Sequence, residues 1–340
     1  MRFLFFLMLP LVLAQTATPA WTTLTSGITA RLRGVSAVSA DVVWASGANG
    51  TIVRSADGGR TWQSLRIPGA EKLDFRDVDG VDANTAYALS IGPGEASRIY
   101  KTTDAGASWV EQFVNRDEKA FFDAMAFWDA NRGVAVSDSI DGQFVVLTTA
   151  DGGRTWERVP AAGLPPALPN EGFFAASGTN VATVAPNLVW IATGAASESR
   201  VLRSSDGGRT WRAAKTPLPA GPSSGIFSIA FADAKRGIVV GGDYKVEAGV
   251  GDNAAITNDG GATWTLVKGL SGFRSAVAYL DREGQSILAV GPSGSDISRD
   301  GGRTWTAGAG AGFHTVSVDR RSGVAFAAGE KGAIATARTR

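Results

Sequence analysis

Three arginines and the only histidine of this 340-residue chain stand where their types and spacing could do chemistry. Seven strand starts can be aligned along the sequence. One register position then reads Arg33, Arg76, Phe122, Phe174, Phe227, Arg274 and His314. If the seven units close into a ring, the polar members fall on consecutive units and face a half that carries phenylalanine. A guanidinium makes planar, bidentate contacts to carboxylate or phosphate. The expectation is therefore a crescent of Arg33, Arg76, Arg274 and His314 that binds an anionic group. Taken singly, each arginine also reads as the partner of a nearby carboxylate, with Asp77 and Asp123 at hand, and His314 as a strand histidine with satisfied nitrogens. One His and no Cys argue against a zinc centre. Asp138-Ser-Ile-Asp141-Gly lacks the alternating carboxylates of a calcium loop. Neither a phosphate-binding glycine loop nor any other cofactor motif occurs in its required context, so no metal and no cofactor are expected. A glycosidase needs two carboxylates across one bond, and Asp77, Asp123, Glu171 and Glu247 are all candidates.

The elements that must position these residues announce themselves by repetition. An eight-residue phrase occurs six times, first as Ser55-Ala-Asp57-Gly-Gly59-Arg-Thr61-Trp62. Its aspartates are Asp57, Asp104, Asp151, Asp206, Asp259 and Asp300, and its tryptophans are Trp62, Trp109, Trp156, Trp211, Trp264 and Trp305. Successive tryptophans lie 47, 47, 55, 53 and 41 residues apart, a period that points to a propeller or a repeat array. Asp followed by Gly is hairpin-turn chemistry, because Asp bonds amides two residues on and Gly accepts positive φ. The aromatic is suited to the wedge between neighbouring sheets. Six equivalent aspartates cannot share one active site, so the phrase is read as structural. Seven strand starts stand against six copies of the phrase, each a box that closes a hairpin. The last unit, from Phe313, stops where its box should be, while Trp21-Thr-Thr-Leu-Thr25 looks like the strand that follows a box. The expected fold is all-β: a seven-bladed propeller of four-stranded antiparallel blades, closed by the N-terminal strand.

Composition agrees with a turn-rich, well-buried β protein: 44% hydrophobic residues, 43 Gly and 10 Trp. A net charge of +1 gives no reason to expect nucleic acid. Met1-Arg2 followed by an apolar run from Phe3 to Leu13 and then Ala14 reads as a signal peptide over 1–14. That run is too short to span a bilayer. Residues 15–340 are then a single propeller, expected to be a monomer in a periplasm or secreted.

The phrase resembles the Asp-box, or bacterial neuraminidase repeat. The chain as a whole resembles the photosystem II stability/assembly factor family of seven-bladed propellers. The likeness rests on the boxes, on Leu32-Arg-Gly-Val35, Val43-Trp-Ala-Ser-Gly47 and Asn49-Gly-Thr-Ile52, on Asp74-Phe-Arg-Asp-Val78 and on Arg236-Gly-Ile-Val-Val-Gly241. It implies a non-enzymatic factor that binds protein during assembly of a complex. Sialidases share the box and set the alternative: a glycoside hydrolase using Arg33, Arg76 and Arg274 on a carboxylated sugar, or a carbohydrate-binding propeller without catalysis. Such an enzyme also needs a Tyr–Glu pair, for which only Tyr244 and Glu247 lie in a loop. The partner, whether protein, anionic group or carbohydrate, is expected on the face away from the boxes. The long loops Ser90 to Arg98, Ser137 to Gln143, Thr193 to Arg200 and Gly241 to Asn253 gather there.

Overall fold

A computed structural model describes residues 20–338, so the expected signal peptide lies outside the described residues. Seven four-stranded antiparallel sheets form a ring. The innermost strands are Leu32–Ala37, Asp74–Gly80, Phe122–Phe127, Val181–Val184, Ser224–Phe231, Ala276–Tyr279 and Thr315–Asp319, numbered here as blades one to seven. Second strands such as Val43–Gly47, Ile287–Gly291 and Val324–Ala328 are buried at every residue. They read as almost continuous apolar runs, interrupted in these three strands only by Ser46, because each blade is covered on both faces by its neighbours. No helix among the described residues is long and apolar enough to cross a membrane.

Ring closure follows the expectation. Thr22–Leu24 pairs antiparallel with Ile334–Arg338 and completes blade seven, with Thr22 opposite Thr336 and Leu24 opposite Ile334. Trp21 packs on Phe313 at 5.0 Å, and Leu24 and Ile28 cover a core that includes Phe326 and Ile334.

Each repeated phrase is a self-contained turn. In the first, Ser55 Oγ donates to Asp57 Oδ1 at 2.9 Å and accepts the Gly59 amide at 2.8 Å. Asp57 Oδ1 accepts the Thr61 amide at 2.9 Å, and Oδ2 accepts the Thr61 hydroxyl at 2.6 Å. The same hydroxyl-to-carboxylate bonds recur at Asp104, Asp151, Asp206, Asp259 and Asp300. Gly58 and Gly59 sit at φ of 73° and 86°, where a Cβ would be strained. Bonds from Thr61 hold the Asp57 carboxyl at about 2. These oxygens are consumed locally. The tryptophans pack at the junctions between blades, but only Trp211 is buried; the other five are half-buried.

Two details of register depart from the sequence reading. In blade three the pairing jumps from Phe122–Ser137 to Ala124–Val136, which leaves Asp123 at a bulge. The same jump isolates Arg33, Arg76 and Phe227 in their blades. Asp123, not Phe122, is therefore their counterpart, and Phe122 is core, edge-on to Phe113. In blade four the innermost strand starts at Val181 rather than at Phe173. The residues between leave the sheet and cross the ring.

Candidate functional site

The crossing segment, residues 174–179, fills the middle of the channel. Gly178 lies at φ 71°, and a Cβ there would fall 2.3 Å from Asp77 Oδ1 of blade two. Only glycine permits both the turn and the approach. Arg33 of blade one donates from Nη1 to the Ala176 carbonyl at 3.3 Å. Arg76 of blade two donates from Nη1 to the Ala175 carbonyl at 2.6 Å and from Nε to Asp74 at 2.9 Å. Ser177 donates to the Ser275 carbonyl of blade six at 2.8 Å, and Thr315 of blade seven donates to the Ser177 carbonyl at 3.2 Å. Thr179 and Ser228 of blade five share a hydroxyl bond at 2.7 Å. One loop from blade four is thus tied to five other blades. A cavity of about 480 Å³ lies on its loop-side face, and one of about 280 Å³ on its box side.

The larger cavity brings together Arg33, Arg76 and His314. Burial and the neighbouring Arg76 pull Arg33 down to about 10, which leaves it a cation at neutral pH. His314 shares a 2.7 Å bond through Nε2 with Glu330. Burial, and then Arg33, pull its imidazole down to about 4, so it is neutral rather than positive at pH 7.

Arg274 is the correction to the expected crescent. Its side chain is 0% exposed and is absent from the cavity wall. Nε donates to Asp296 Oδ2 at 2.6 Å, Nη1 to the Phe273 carbonyl at 2.8 Å and Nη2 to Ser271 Oγ at 2.5 Å. A carboxylate on the third strand of its own blade takes this guanidinium before the channel can.

The wall between Arg76 and the aromatic side is acidic. Burial, and then Asp138, push Asp123 well above the usual carboxylate range, and burial pushes Asp138 up to about 6. Asp138 Oδ1 also accepts the Phe173 amide at 2.7 Å. Opposite, Phe174 and Phe227 stack at 4.0 Å, and Phe273 stands edge-on to Phe227 at 4.6 Å. Tyr244 stands edge-on to the stacked pair at 6.3 and 6.1 Å and, with Glu247, reaches the same cavity. Tyr244 is 45% exposed, and Val246 and Val250 on the same loop are 56% and 75% exposed. The loop therefore carries an apolar lip beside the cavity. Two cations, a neutral histidine, protonatable acids and an aromatic shelf can hold an anionic group next to an apolar one. Sequence reasoning missed the acidic wall as a unit, the Glu330 partner of His314 and the crossing segment; Gly178 was the one local signal for the last.

No protein-family model matches the chain, and no curated protein matches it. Solved structures do. A structure described as YCF48 bound to D1 peptide aligns with a TM-score of 0.67 at 18% identity, over 94% of this chain and 97% of that one. YCF48 from Cyanidioschyzon merolae aligns with a TM-score of 0.66 at 17% identity, over 94% and 99%. At this identity the likeness is one of fold.

Proposed function

We propose that the protein is a non-enzymatic propeller that binds a segment of a partner protein at the loop-side mouth of its channel, as an assembly factor would. An anionic group of that segment sits by Arg33 and Arg76, and an apolar side chain lies on Phe174, Phe227 and Tyr244. The observation that carries this reading is the meeting of two guanidiniums and a stacked aromatic shelf in one cavity of about 480 Å³. The fold shared with YCF48, one structure of which holds a D1 peptide, supports it. The reading includes export, with 1–14 as a signal peptide, a monomeric state, and the repeated hairpins as Asp-boxes without chemistry of their own.

The sialidase reading requires three arginines on one carboxylate. Tyr244 and Glu247 reach the cavity, but Arg274 is committed to Asp296 and only two arginines remain. Binding is favoured for that reason. A photo-crosslinking residue at position 244, used in the cell's own envelope fraction, tests the proposal. A discrete crosslinked protein is expected, and it should disappear in a well-folded R33Q/R76Q variant. Crosslinks indifferent to that double change, or turnover of a fluorogenic sialoside, would overturn it.

A further inference from the structure

A second charged site lies on the opposite face, between blades four and five, and owes nothing to the channel. The strands Arg200–Ser204 and Arg212–Lys215 pair so that Arg203 stands directly opposite Arg212. Like charges at directly opposed positions repel and weaken a sheet. Among the described residues, neither guanidinium makes an ion pair or a side-chain hydrogen bond. Both line a cavity of about 370 Å³ together with Trp190, Ser205, Thr210 and Asp259.

Blade one provides an internal control. There Trp44 stands opposite Arg54, as Trp190 stands opposite Arg203. Arg54 lies 5.3 Å from the Trp44 ring and donates to the Ala83 carbonyl of the next blade at 3.1 and 2.8 Å. Its opposite residue is the neutral Gln63. Ala234 holds the corresponding turn: Lys235 accepts the Gly260 amide as Asn84 accepts that of Ala105. Ala234 lines the cavity, yet Arg203 does not donate to it. Blade four thus has a second arginine where blade one has glutamine, and its first arginine is left off its carbonyl. The carboxylate on this wall is no partner either. Asp259 accepts from Thr257, Ala262 and Thr263 within its own turn.

We propose that Arg203 and Arg212 form an anion site for a phosphate group, with the exposed Ser205 hydroxyl as a further donor. Two opposed guanidiniums match the several oxygens of a tetrahedral phosphate group, and such a ligand turns their repulsion into attraction. The group is either free phosphate or the headgroup of an anionic lipid.

Thermal melting at fixed ionic strength tests this with the whole protein. Phosphate should raise the wild-type Tm above its value in chloride. R212Q alters an exposed residue and should do two opposite things. It should melt above wild type in chloride, because the like-charge pair is gone, and it should lose the phosphate response. Titration calorimetry with inorganic phosphate should give a dissociation constant roughly tenfold or more weaker in R212Q. R54Q should respond to phosphate as wild type does. Flotation with phosphatidylglycerol vesicles separates the sources: Arg212-dependent flotation assigns the phosphate to lipid, and its absence beside a solution response assigns it to a free ligand. A wild-type protein that tells phosphate from chloride neither in solution nor on vesicles, or a response that survives R203Q/R212Q, overturns the proposal.

Discussion

Replacing Arg274 by alanine discriminates most sharply between a binding arginine and a buried one. The side chains of Arg274 and Asp296 are both 0% exposed. Arg274→Ala leaves Asp296 without its cation and takes donors from the Phe273 carbonyl, Ser271 and Ser293. Breaking one side of a buried pair costs about 3–5 kcal/mol, because the surviving charge is uncompensated. In a protein of this size that is a fall in Tm on the order of 5–10 °C. Arg274→Met combined with Asp296→Leu removes both charges and fills the space, so it should recover most of the loss. The four melting curves of the double-mutant cycle give the coupling energy directly. Partner capture by the channel mouth should persist in any of these variants that is folded at the assay temperature. If Arg274→Ala melts with wild type and fails only in capture, the guanidinium belongs to the binding surface and the assignment is wrong.

Three further outcomes follow from the packing. A chain beginning at Arg31 loses the Thr22–Leu24 pairing and the cover of Trp21, Leu24 and Ile28, and should lose several kcal/mol, on the order expected for an outer strand; melting at the wild-type temperature would show that closure contributes nothing. Trp211→Ala, at a buried site, should cost about 3–5 kcal/mol in urea unfolding, and Trp156→Ala, at a half-buried one, distinctly less; the reverse order would contradict the packing described. Burial holds Asp79 up at about 6, against 3.8 when unperturbed, so its contribution to stability is full below pH 4 and is lost as pH rises through 6. Asp79→Asn, which stays neutral and can still accept the Phe127 amide, should be more stable than wild type by roughly 1–2 kcal/mol at pH 7.5, with the difference closing at pH 4. A gap that does not change with pH would exclude titration of Asp79 as its source.

The ring was legible in the chain because its punctuation is local. The Ser55, Asp57, Gly59 and Thr61 bonds span four residues, so spacing alone announces the turn. Closure was legible for a similar reason, since Trp21 to Thr25 reads as a strand after a box. The site was legible only in part. Arg33 and Arg76 meet because equivalent bulges aim them alike, and His314 joins them from the residue just before its strand; a register alignment captures all three. Arg274 shares the register but not the fate, because its acceptor, Asp296, lies in another strand, and alignment of first strands does not see it. Two successive phenylalanines, Phe121 and Phe122, hid the one-residue shift that puts Asp123 at the bulge. Phe173 reads as the fourth of the seven strand starts, because an apolar run does not say whether its backbone partners lie in its own sheet or across a channel.

The closure of blade seven has a consequence for how the protein is made. Ser26 bonds to the Gly332 carbonyl 306 residues further on, and Thr22–Leu24 must wait for Ile334–Arg338. Of the described strands, the first to be made is the last to be used. Blades one to six can each form from contiguous chain during synthesis, but the seam is the longest-range strand pairing among the described residues, and contacts of that kind form slowly. Until it forms, a nascent or C-terminally clipped chain presents the bare edges of a half-built sheet, which invite pairing between molecules. Loss of Ile334–Arg338 should therefore produce aggregates rather than a six-bladed remnant, and the interval between synthesis of that strand and seam formation is when the chain most needs a chaperone.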